Sequence, residues 1–378
     1  MTNAASIDRL QHAATLEWSR SERRFVAATL VDAEGSAPFE LGARMFISDD
    51  GQLEGSVTGG CVEAALAQEA EVIFGGGPPV VRTYGISDDE AAGVGLMCGG
   101  TVHILLREVT SEARDVLAQV AEARLNMVPA GLALLVDGAN AGACMALIGT
   151  EVVGTLGETD LLDRSVERDL RGMVDHGQTG LRRYGADGAA LGDDVRVFIR
   201  SWAPAPSIVI FGAIDFSAAV ALLARQLGYD VTVVDAREAF VQSPRFAAAA
   251  ETVVSWPQEY LATRELGPRD AVLVFTHDPK FDEPALRAAL ASGAGYVGAL
   301  GSRRTQEQRV ERLRASGVAD ADIARIAAPC GLDIGARTPA ETALSVLSEI
   351  VASQAGRSGG PLRESAGPIH ATTQHAAA

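Results

Sequence analysis

A thiol beside two glycines stands at the predicted start of a helix in the first part of the chain. The run Gly59-Gly60-Cys61-Val62-Glu63 follows a predicted strand and opens a helix that extends to about Phe74. Exposed amides and the helix dipole favour negative charge at such a turn, so a thiolate, a phosphate or a sulfur-bearing ligand would be stabilised there. The same residues also suit a tight turn with a small buried cysteine, and the sequence leaves both interpretations open.

A second cysteine beside a Gly-Gly pair occurs at Cys98-Gly99-Gly100, just before a predicted strand. Two such cysteines in one domain could face one pocket and handle a cofactor or sulfur, and two separate turns are the alternative. The loop Gly35-Ser36-Ala37-Pro38 offers hydroxyl and amide donors and is followed by Arg44, although such loops are also ordinary turn chemistry. Cys144, by contrast, lies inside an apolar strand and is predicted to belong to the core.

The last folded segment begins with the pattern of a nucleotide-binding βαβ unit. The predicted strand 208–211 runs into Gly212, and Asp235 ends the next strand. Only the first of the three expected glycines is present, because Ile214 and Ser217 occupy the positions of the others. The pattern therefore predicts the fold but does not favour ordinary NAD chemistry.

Polar and basic side chains follow the later strands of this segment. Thr276-His277-Asp278 ends a predicted parallel strand, at the edge of the sheet where ligands bind; His277 could bind a ligand or transfer a proton, and a helix cap by Asp278 is the alternative. The run Gly301-Ser302-Arg303-Arg304 leads from a strand into a helix. Because the dipole disfavours arginine at a helix start, the arginine pair predicts either a phosphate-like partner or simple exposure to solvent.

The elements that position these residues divide into two domains and a tail. An α+β domain over residues 1–200 is followed, after a proline-bearing segment, by a Rossmann-like doubly wound parallel-sheet domain over residues 207–352. Residues 353–378 are rich in Gly, Ser, Ala and Pro without periodicity and are predicted to be disordered. The main strands predicted in the first domain are residues 25–31, 43–48, 80–84, 101–107, 130–136, 144–148 and 196–200. The helices predicted there include residues 6–20, 111–124 and 159–175.

Composition excludes several classes of function. A chain of 378 residues with 47% hydrophobic residues can bury the cores of two or three domains. Its net charge of −17 argues against nucleic acid and anionic lipid as partners. Without an apolar run of membrane-spanning length or a signal-peptide pattern, we expect a soluble, cytoplasmic protein with no membrane span. The four cysteines show no Cys-x-x-Cys pairing, which argues against zinc knuckles, iron–sulfur clusters and a disulfide framework.

Taken together, these motifs resemble the XdhC/CoxI family of accessory proteins for molybdenum hydroxylases, over most of the chain. Two departures stand out: Phe39 replaces an arginine found in many relatives, and Gly212-Ala213-Ile214-Asp215 replaces Gly-Ala-Gly-His. The resemblance is carried by the runs Gly35-Ser36-Ala37-Pro38, Gly55-Ser56-Val57-Thr58-Gly59-Gly60-Cys61-Val62-Glu63, Cys98-Gly99-Gly100, Thr276-His277-Asp278, Tyr296-Val297-Gly298-Ala299-Leu300-Gly301-Ser302-Arg303 and Gly331-Leu332-Asp333-Ile334-Gly335-Ala336-Arg337-Thr338-Pro339.

The resemblance implies a chaperone without catalytic residues of its own. Such a protein binds the molybdenum cofactor, as molybdopterin or its cytosine dinucleotide form, and assists its sulfuration with a cysteine desulfurase. It then delivers the cofactor to an apo-hydroxylase such as xanthine or carbon monoxide dehydrogenase, and a homodimer would be compatible with this role. Cys61 is the candidate metal ligand. The candidate cofactor-binding residues are Ser36, Arg44, Gly59, Gly60, Cys61, Glu63, Cys98, Gly99, Gly100, Gly212, His277, Gly301, Ser302, Arg303, Arg304 and Asp333.

Three other functions compete with this one. An NAD(P)-dependent oxidoreductase would use the second domain, but Ile214 and Ser217 and the lack of an obvious hydride-transfer constellation argue against NAD(P). A xanthine dehydrogenase would need iron–sulfur ligands that four unclustered cysteines do not provide. A regulatory nucleotide-binding module would bind ATP or CTP tightly without a pterin.

Overall fold

The computed structural model describes residues 4–34, 39–60, 62–85, 100–189, 192–276 and 278–365. These residues form two compact units, divided between Pro204 and Ala205. Within the described ranges, no helix has both the length and the apolar character needed to cross a bilayer.

The N-terminal unit begins with a five-stranded antiparallel sheet in the order β3-β2-β1-β5-β4. Its strands are β1 (Phe25–Glu34), β2 (Arg44–Ser48), β3 (Leu53–Gly55), β4 (Val80–Tyr84) and β5 (Thr101–Glu108). Helix α1 (Ala4–Arg20) precedes β1, and α2 (Glu63–Phe74) connects β3 to β4. Gly51, with a φ of +84°, lies in the turn that closes the β2–β3 hairpin.

A second antiparallel sheet follows in the equivalent order β8-β7-β6-β10-β9. Its strands are β6 (Ala130–Leu135), β7 (Cys144–Ile148), β8 (Glu151–Thr155), β9 (Gly180–Tyr184) and β10 (Val195–Trp202). Helix α3 (Ser111–Leu125) precedes β6, and α4 (Asp160–His176) connects β8 to β9. The N-terminal unit thus contains two copies of one arrangement: a helix, three strands, a second helix and two more strands.

Strand register fixes which residues of the two repeats are equivalent. In the first sheet, Thr29 of β1 pairs with Arg44 of β2 and with Leu105 of β5. In the second sheet, Leu134 of β6 pairs in the same way with Cys144 of β7 and Phe198 of β10. Arg44 is therefore equivalent to Cys144. Two residues farther along β5 and β10, Arg107 is equivalent to Arg200.

Alternating side chains give each sheet two buried faces. One face of the first sheet packs on Leu66, Ala70 and Ile73 of α2, and one face of the second packs on α4. The remaining faces of both sheets contribute to one shared core, in which Phe46 and Phe198 lie with side chains of α3 and Trp18 of α1. This shared core is where the arginines described below are placed.

The C-terminal unit is a parallel six-stranded sheet in the order β13-β12-β11-β14-β15-β16, and it confirms the predicted Rossmann-like fold. The strands are β11 (Ser207–Phe211), β12 (Asp230–Asp235), β13 (Glu251–Val254), β14 (Ala271–Val274), β15 (Tyr296–Ala299) and β16 (Ile326–Ala327). The helices are α5 (Asp215–Gln226), α6 (Glu238–Val241), α7 (Pro257–Leu261), α8 (Pro279–Ala291), α9 (Arg303–Ala315), α10 (Asp320–Ile323) and α11 (Pro339–Gln354). Separate apolar cores cover the two faces of the sheet.

The expected disordered tail needs a correction over its first residues. Helix α11 continues to Gln354, whose side chain accepts a hydrogen bond from the Tyr229 hydroxyl and donates one to the Arg269 carbonyl. These contacts tie the end of the helix to the parallel-sheet unit. A short 3₁₀ helix follows at Leu362–Glu364, and residues 366–378 lie outside the described ranges.

Candidate functional site

The Gly55–Glu63 motif is organised around one carboxylate. Glu63 is the first residue of α2, and its side chain accepts hydrogen bonds from the Ser56 hydroxyl at 2.5 Å and the Thr58 hydroxyl at 2.8 Å. It also accepts hydrogen bonds from five backbone amides, those of Val57, Thr58, Gly59, Gly60 and Val62. Burial alone would raise the pKa of Glu63, but the hydrogen bonds from Ser56 and Thr58 hold it at about 2.

The amides that the sequence offers to a ligand are therefore engaged within the protein. The N–H groups of Gly59 and Gly60 point at Glu63, in a turn where both glycines have positive φ, +80° and +114°. Glu63 thus fixes the conformation of the loop that precedes α2. Five of the candidate residues lie outside the described ranges: Ser36, Cys61, Cys98, Gly99 and His277.

A cavity of about 250 Å³ lies beside this loop, inside the N-terminal unit. Phe39, Phe46 and Trp202 supply aromatic walls, and Ser56 brings the glycine loop to its edge. The Phe39 ring lies 3.3 Å from the place that a Cβ at Gly59 would occupy, so the loop and the cavity are in direct contact. One side is formed by α1.

Two arginines, Arg44 of β2 and Arg200 of β10, line this cavity from facing sheets. The Arg200 guanidinium lies over the Trp202 ring, 5.1 Å from its centroid. Arg107 lies close to Arg44, and it is only 3% exposed. Burial, followed by the charges of Arg200 and Arg107, lowers the pKa of Arg44 to about 9.

Neither Arg44 nor Arg107 forms an ion pair with any residue that the structure describes. Within the same ranges, Nε and Nη1 of Arg107 have no hydrogen-bond partner. Guanidinium groups are well suited to bind phosphate and other oxyanions, which is the chemistry that this cavity can offer.

The first turn of the Rossmann-like sheet is tightly packed. Gly212 has a φ of +111°, and a Cβ there would lie 3.1 Å from the Phe275 carbonyl. The Asp235 carboxylate accepts a hydrogen bond from the Ala213 amide at 2.9 Å and pairs with Arg237 at 2.7 Å. Burial would raise the pKa of Asp235, but these hydrogen bonds lower it. The acid that would hold a ribose in a dinucleotide site is therefore already paired.

The Gly301–Arg304 run lies two strands away at the same carboxyl edge. Ser302 caps α9, its hydroxyl accepting from the Thr305 amide at 3.1 Å. Arg303 and Arg304 are exposed and have no hydrogen-bond or ion-pair partner among the described residues, so both are available to an anion. Asp333 is exposed in the loop between β16 and α11.

A buried ion pair that the sequence did not reveal supports this run. Arg309 of α9 donates to Asp282 of α8, with an Nε–Oδ2 distance of 2.9 Å, and both side chains are at most 3% exposed. Arg309 also donates to the Leu300 carbonyl at 3.1 Å. The end of β15 is thereby held in place next to Gly301.

Two cysteines are confined to the interior. Cys144 belongs to the shared core, as predicted, and Cys330 is packed in the core of the parallel-sheet unit. Burial raises the pKa of both thiols, and for Cys330 the pKa reaches about 12 because of burial and the nearby Glu349. Neither side chain has the thiolate character that metal or sulfur chemistry requires.

Comparison with known proteins identifies the family. The profile described as the XdhC Rossmann domain matches residues 208–350, and the profile of the XdhC and CoxI family matches residues 18–85. The chain belongs to the XdhC and CoxI family. The resemblance seen in the sequence motifs is thus confirmed.

Two relatives match this chain along most of their length. The chain is 26% identical over 328 residues to a probable xanthine dehydrogenase subunit of Bacillus subtilis, a match that covers 86% of this chain and 92% of that protein. It is 28% identical over 334 residues to the molybdenum cofactor insertion chaperone PaoD of Escherichia coli, covering 86% and 82%. A solved structure described as a xanthine dehydrogenase from Bacillus halodurans has a TM-score of 0.58 at 22% identity, over 95% of this chain and 98% of that one, and it supports the fold.

Within this XdhC and CoxI chain, the structure brings some candidate residues together and adds others. Arg44, Gly59, Gly60 and Glu63 lie at the cavity or in the loop beside it, whereas Gly100 lies just before β5. Sequence reasoning missed Arg200 and Arg107. The signal that could have found them is the internal repeat: the pairs Gly42 and Gly142, Met45 and Met145, and Tyr84 and Tyr184 are separated by the same interval.

Proposed function

We propose that this protein is a non-catalytic chaperone that binds the molybdenum cofactor and passes it to an apo-hydroxylase. The observation that carries the proposal is the match to the chaperone PaoD, which extends over 82% of that protein. The N-terminal unit is compatible with such a guest, because its cavity combines aromatic walls with arginines that can neutralise a phosphate. The cofactor is cargo here, so the protein's task is to hold and release it.

The glycine motif would present the thiol of Cys61 to molybdenum or its sulfur. In this proposal Glu63 acts as a positioning residue: by engaging the amides of Gly59 and Gly60, it keeps the loop in one conformation. Ser36, Cys98, Gly99 and Gly100 are proposed as further contacts of the same guest. Arg44 would contribute charge from the cavity beside the loop.

The parallel-sheet unit is proposed to recognise the cytidine nucleotide of the dinucleotide form of the cofactor. Exposed Arg303 and Arg304 would attract the anion, and the loop at Gly301 and Ser302 would lie next to it. Gly212 and Asp333 are proposed to belong to the same set, together with His277, which lies outside the described ranges. Asp235, paired with Arg237, is not part of it.

The proposal also extends to the partners and the setting. We propose that the protein cooperates with a cysteine desulfurase during sulfuration of the cofactor, and that it serves xanthine or carbon monoxide dehydrogenase. It would carry molybdopterin or the cytosine dinucleotide form, in the cytoplasm, as a homodimer. Each of these points is a proposal that follows from the family.

The test is to purify the full chain from a molybdenum-replete host and to identify the bound pterin by oxidation and fluorescence. The purified protein is then incubated with an apo-hydroxylase, whose activation is measured. Cys61→Ala should lower both cofactor retention and activation without changing the melting temperature, and Arg303→Ala should weaken binding and reduce its sensitivity to salt. A protein that carries no pterin and activates no hydroxylase would contradict the proposal.

An NAD(P)-dependent oxidoreductase remains the second candidate because the strand order of the C-terminal sheet is that of dinucleotide-binding proteins. The pairing of Asp235 with Arg237 argues against it, since that carboxylate would have to leave its partners to bind a ribose. Titration with NADH, followed by nicotinamide fluorescence, separates the two functions. Micromolar binding would favour the oxidoreductase.

A further inference from the structure

The two repeats of the N-terminal unit interlock through a reciprocal pair of contacts. Arg200 of the second repeat packs on Gly42 of the first, so closely that a Cβ at Gly42 would overlap Arg200 Cδ. Arg107 of the first repeat packs in the same way on Gly142 of the second, where a Cβ would lie 2.9 Å from Arg107 Cδ. Both glycines have positive φ, +86° and +90°. The arginines and glycines therefore obey one pseudo-twofold relationship.

The relationship is broken at the residues between them. Where the first repeat has Arg44, the second has Cys144, and where the first has Phe46, the second has Ala146. The half with Arg44 opens into the cavity of about 250 Å³. In the other half, Cys144 is 4% exposed and Arg107 is 3% exposed. Of the two equivalent positions, the one occupied by Arg44 lines an open cavity, whereas the one occupied by Cys144 is buried.

The positive charge of Arg44, at the cavity, requires a negative charge to balance it. Arg44 is surrounded by Arg107 and Arg200, and within the described part of the chain neither Arg44 nor Arg107 has a carboxylate partner. A buried guanidinium without a counter-ion is costly, and a protein retains such a group when a ligand supplies the opposite charge. An oxyanion between Arg44 and Arg200 would supply this negative charge. A guanidinium group can also donate two parallel hydrogen bonds to such an anion.

The walls define the rest of the guest. Phe39, Phe46 and Trp202 offer three aromatic surfaces against which a flat ring can pack, and Ser56 adds a hydroxyl. The volume is below the usual range of pockets for drug-sized ligands, roughly 300–1,000 Å³, so a single ring system with one anionic group fits it better than a dinucleotide.

We propose that this cavity is a binding site for a phosphate monoester attached to a small aromatic or heteroaromatic group, with Arg44 and Arg200 as its anion ligands. The inference deepens the proposed function, on which it rests for the natural guest: a phosphorylated pterin belongs to this chemical class. It assigns the phosphate of the pterin to the N-terminal unit and leaves the nucleotide of the dinucleotide form to the parallel-sheet unit.

The test uses isothermal titration of the full chain, freed of bound cofactor, with phenyl phosphate, inorganic phosphate and phenol as probes. Phenyl phosphate should bind with one site per chain, inorganic phosphate more weakly, and phenol not measurably. Arg44→Met and Arg200→Met should each weaken phenyl phosphate binding by roughly tenfold or more. Arg44→Lys, which keeps the charge but loses the fork of donors, should give an intermediate loss.

The matched control is Arg183→Gln, which removes an arginine from β9, the strand next to β10, where it forms an exposed ion pair with Asp193. This variant should bind phenyl phosphate like the wild type. Failure of phenyl phosphate to bind the wild type, or equal affinity in Arg44→Met and the control, would overturn the inference. Melting temperatures show that each variant is folded.

The same variants separate this inference from the chaperone proposal. Binding of phenyl phosphate through Arg44, in a protein that carries no pterin, would keep the site and reject the proposed cargo. Normal pterin retention and hydroxylase activation in Arg44→Met would keep the chaperone and reject this cavity as its phosphate site.

Discussion

Glu63 accepts hydrogen bonds from both the amide and the hydroxyl of Thr58, at 2.9 and 2.8 Å. The first residue of α2 is therefore hydrogen-bonded to the loop that precedes the helix, and these bonds connect the start of the helix to the glycine loop. This relationship explains how a loop with two positive-φ glycines can keep a defined conformation beside the cavity.

Replacing Glu63 by Gln should destabilise the N-terminal unit. An amide cannot accept all of the hydrogen bonds that the carboxylate accepts, and hydrogen bonds to a charged group contribute more than neutral ones. We expect a loss of about 1–3 kcal/mol in the free energy of unfolding, measured with urea. Glu69→Gln is the control, because Glu69 lies on the same helix in a partly exposed pair with Arg82, and this substitution should cost less than about 1 kcal/mol. Equal effects would contradict the role of Glu63.

The contribution of Glu63 should depend on acid pH. Its folded-state pKa of about 2 lies below the ordinary value of 4.5, so the stabilisation is fully present above pH 4.5. It should diminish as the pH falls from 4.5 towards about 2, where the folded protein also becomes protonated. The difference in unfolding free energy between wild type and Glu63→Gln, measured across this window, should shrink. A constant difference would show that the charge is not involved.

Arg44→Met should stabilise the protein in the absence of ligand. The folded-state pKa of about 9 lies below the ordinary 12.5, so the folded state holds this proton less firmly than the unfolded state, and stability rises with pH from about 9 upward. At pH 7, Arg44→Met should melt at a higher temperature than the wild type. Above about pH 9, its stability should increase less with pH than that of the wild type, because the contribution of Arg44 is absent. The charged and titratable groups that face Arg44 or line its cavity are Arg107, Arg200, Cys144, Glu54 and His12. A lower melting temperature at pH 7 would contradict the view of Arg44 as an uncompensated charge.

Breaking the Arg309–Asp282 pair should be strongly destabilising. Removal of either partner leaves the other charge buried, which typically costs about 3–5 kcal/mol. We expect Arg309→Met and Asp282→Leu each to lower stability by this amount, and the double variant to lose less than the two losses combined. Urea unfolding of the three variants gives the coupling free energy, and strict additivity would show that the pair is not an interacting unit.

The thiols should fall into two classes. Cys144 and Cys330 are buried and have raised pKa values, so they should not react with a thiol reagent in the native protein at pH 8. A Cys61→Ala, Cys98→Ala double variant should therefore show no reaction until it is unfolded, and then two thiols. Rapid labelling of the native double variant would contradict the placement of Cys144 and Cys330.

Local patterns in the sequence predicted much of the fold. A nearly continuous apolar run predicts the strand that begins at Phe25, and the structure confirms it as β1. Thr338 followed three residues later by Glu341 is the sequence pattern of a capping box, and the structure has this capping box at the start of α11. Strands β8 and β9 were missed, because Gly154 interrupts one and Arg182 and Arg183 make the other polar. Such strands are held by pairing with neighbours, which local sequence does not report.

The candidate site was predicted less completely than the fold. The loop that precedes Arg44 in the sequence predicts Arg44 as a site residue. Arg200 lies in the second repeat, and it reaches the cavity only because the two sheets face each other. The glycine motif was recognised, but its amides were expected to meet a ligand. That Glu63 satisfies them depends on the turn made by Gly59 and Gly60, a feature of three-dimensional geometry.

The covalent joining of the two repeats has an evolutionary consequence. Were one repeat to exist as a separate chain, it would need a second copy to cover its exposed sheet, and such a symmetric dimer would necessarily possess two identical cavities. Fusion releases each half from having to mirror the other, so a change such as arginine to cysteine can occur on one side alone. In this protein, arginine is found at position 44 of the first half and cysteine at the equivalent position 144 of the second, and only Arg44 lines the cavity.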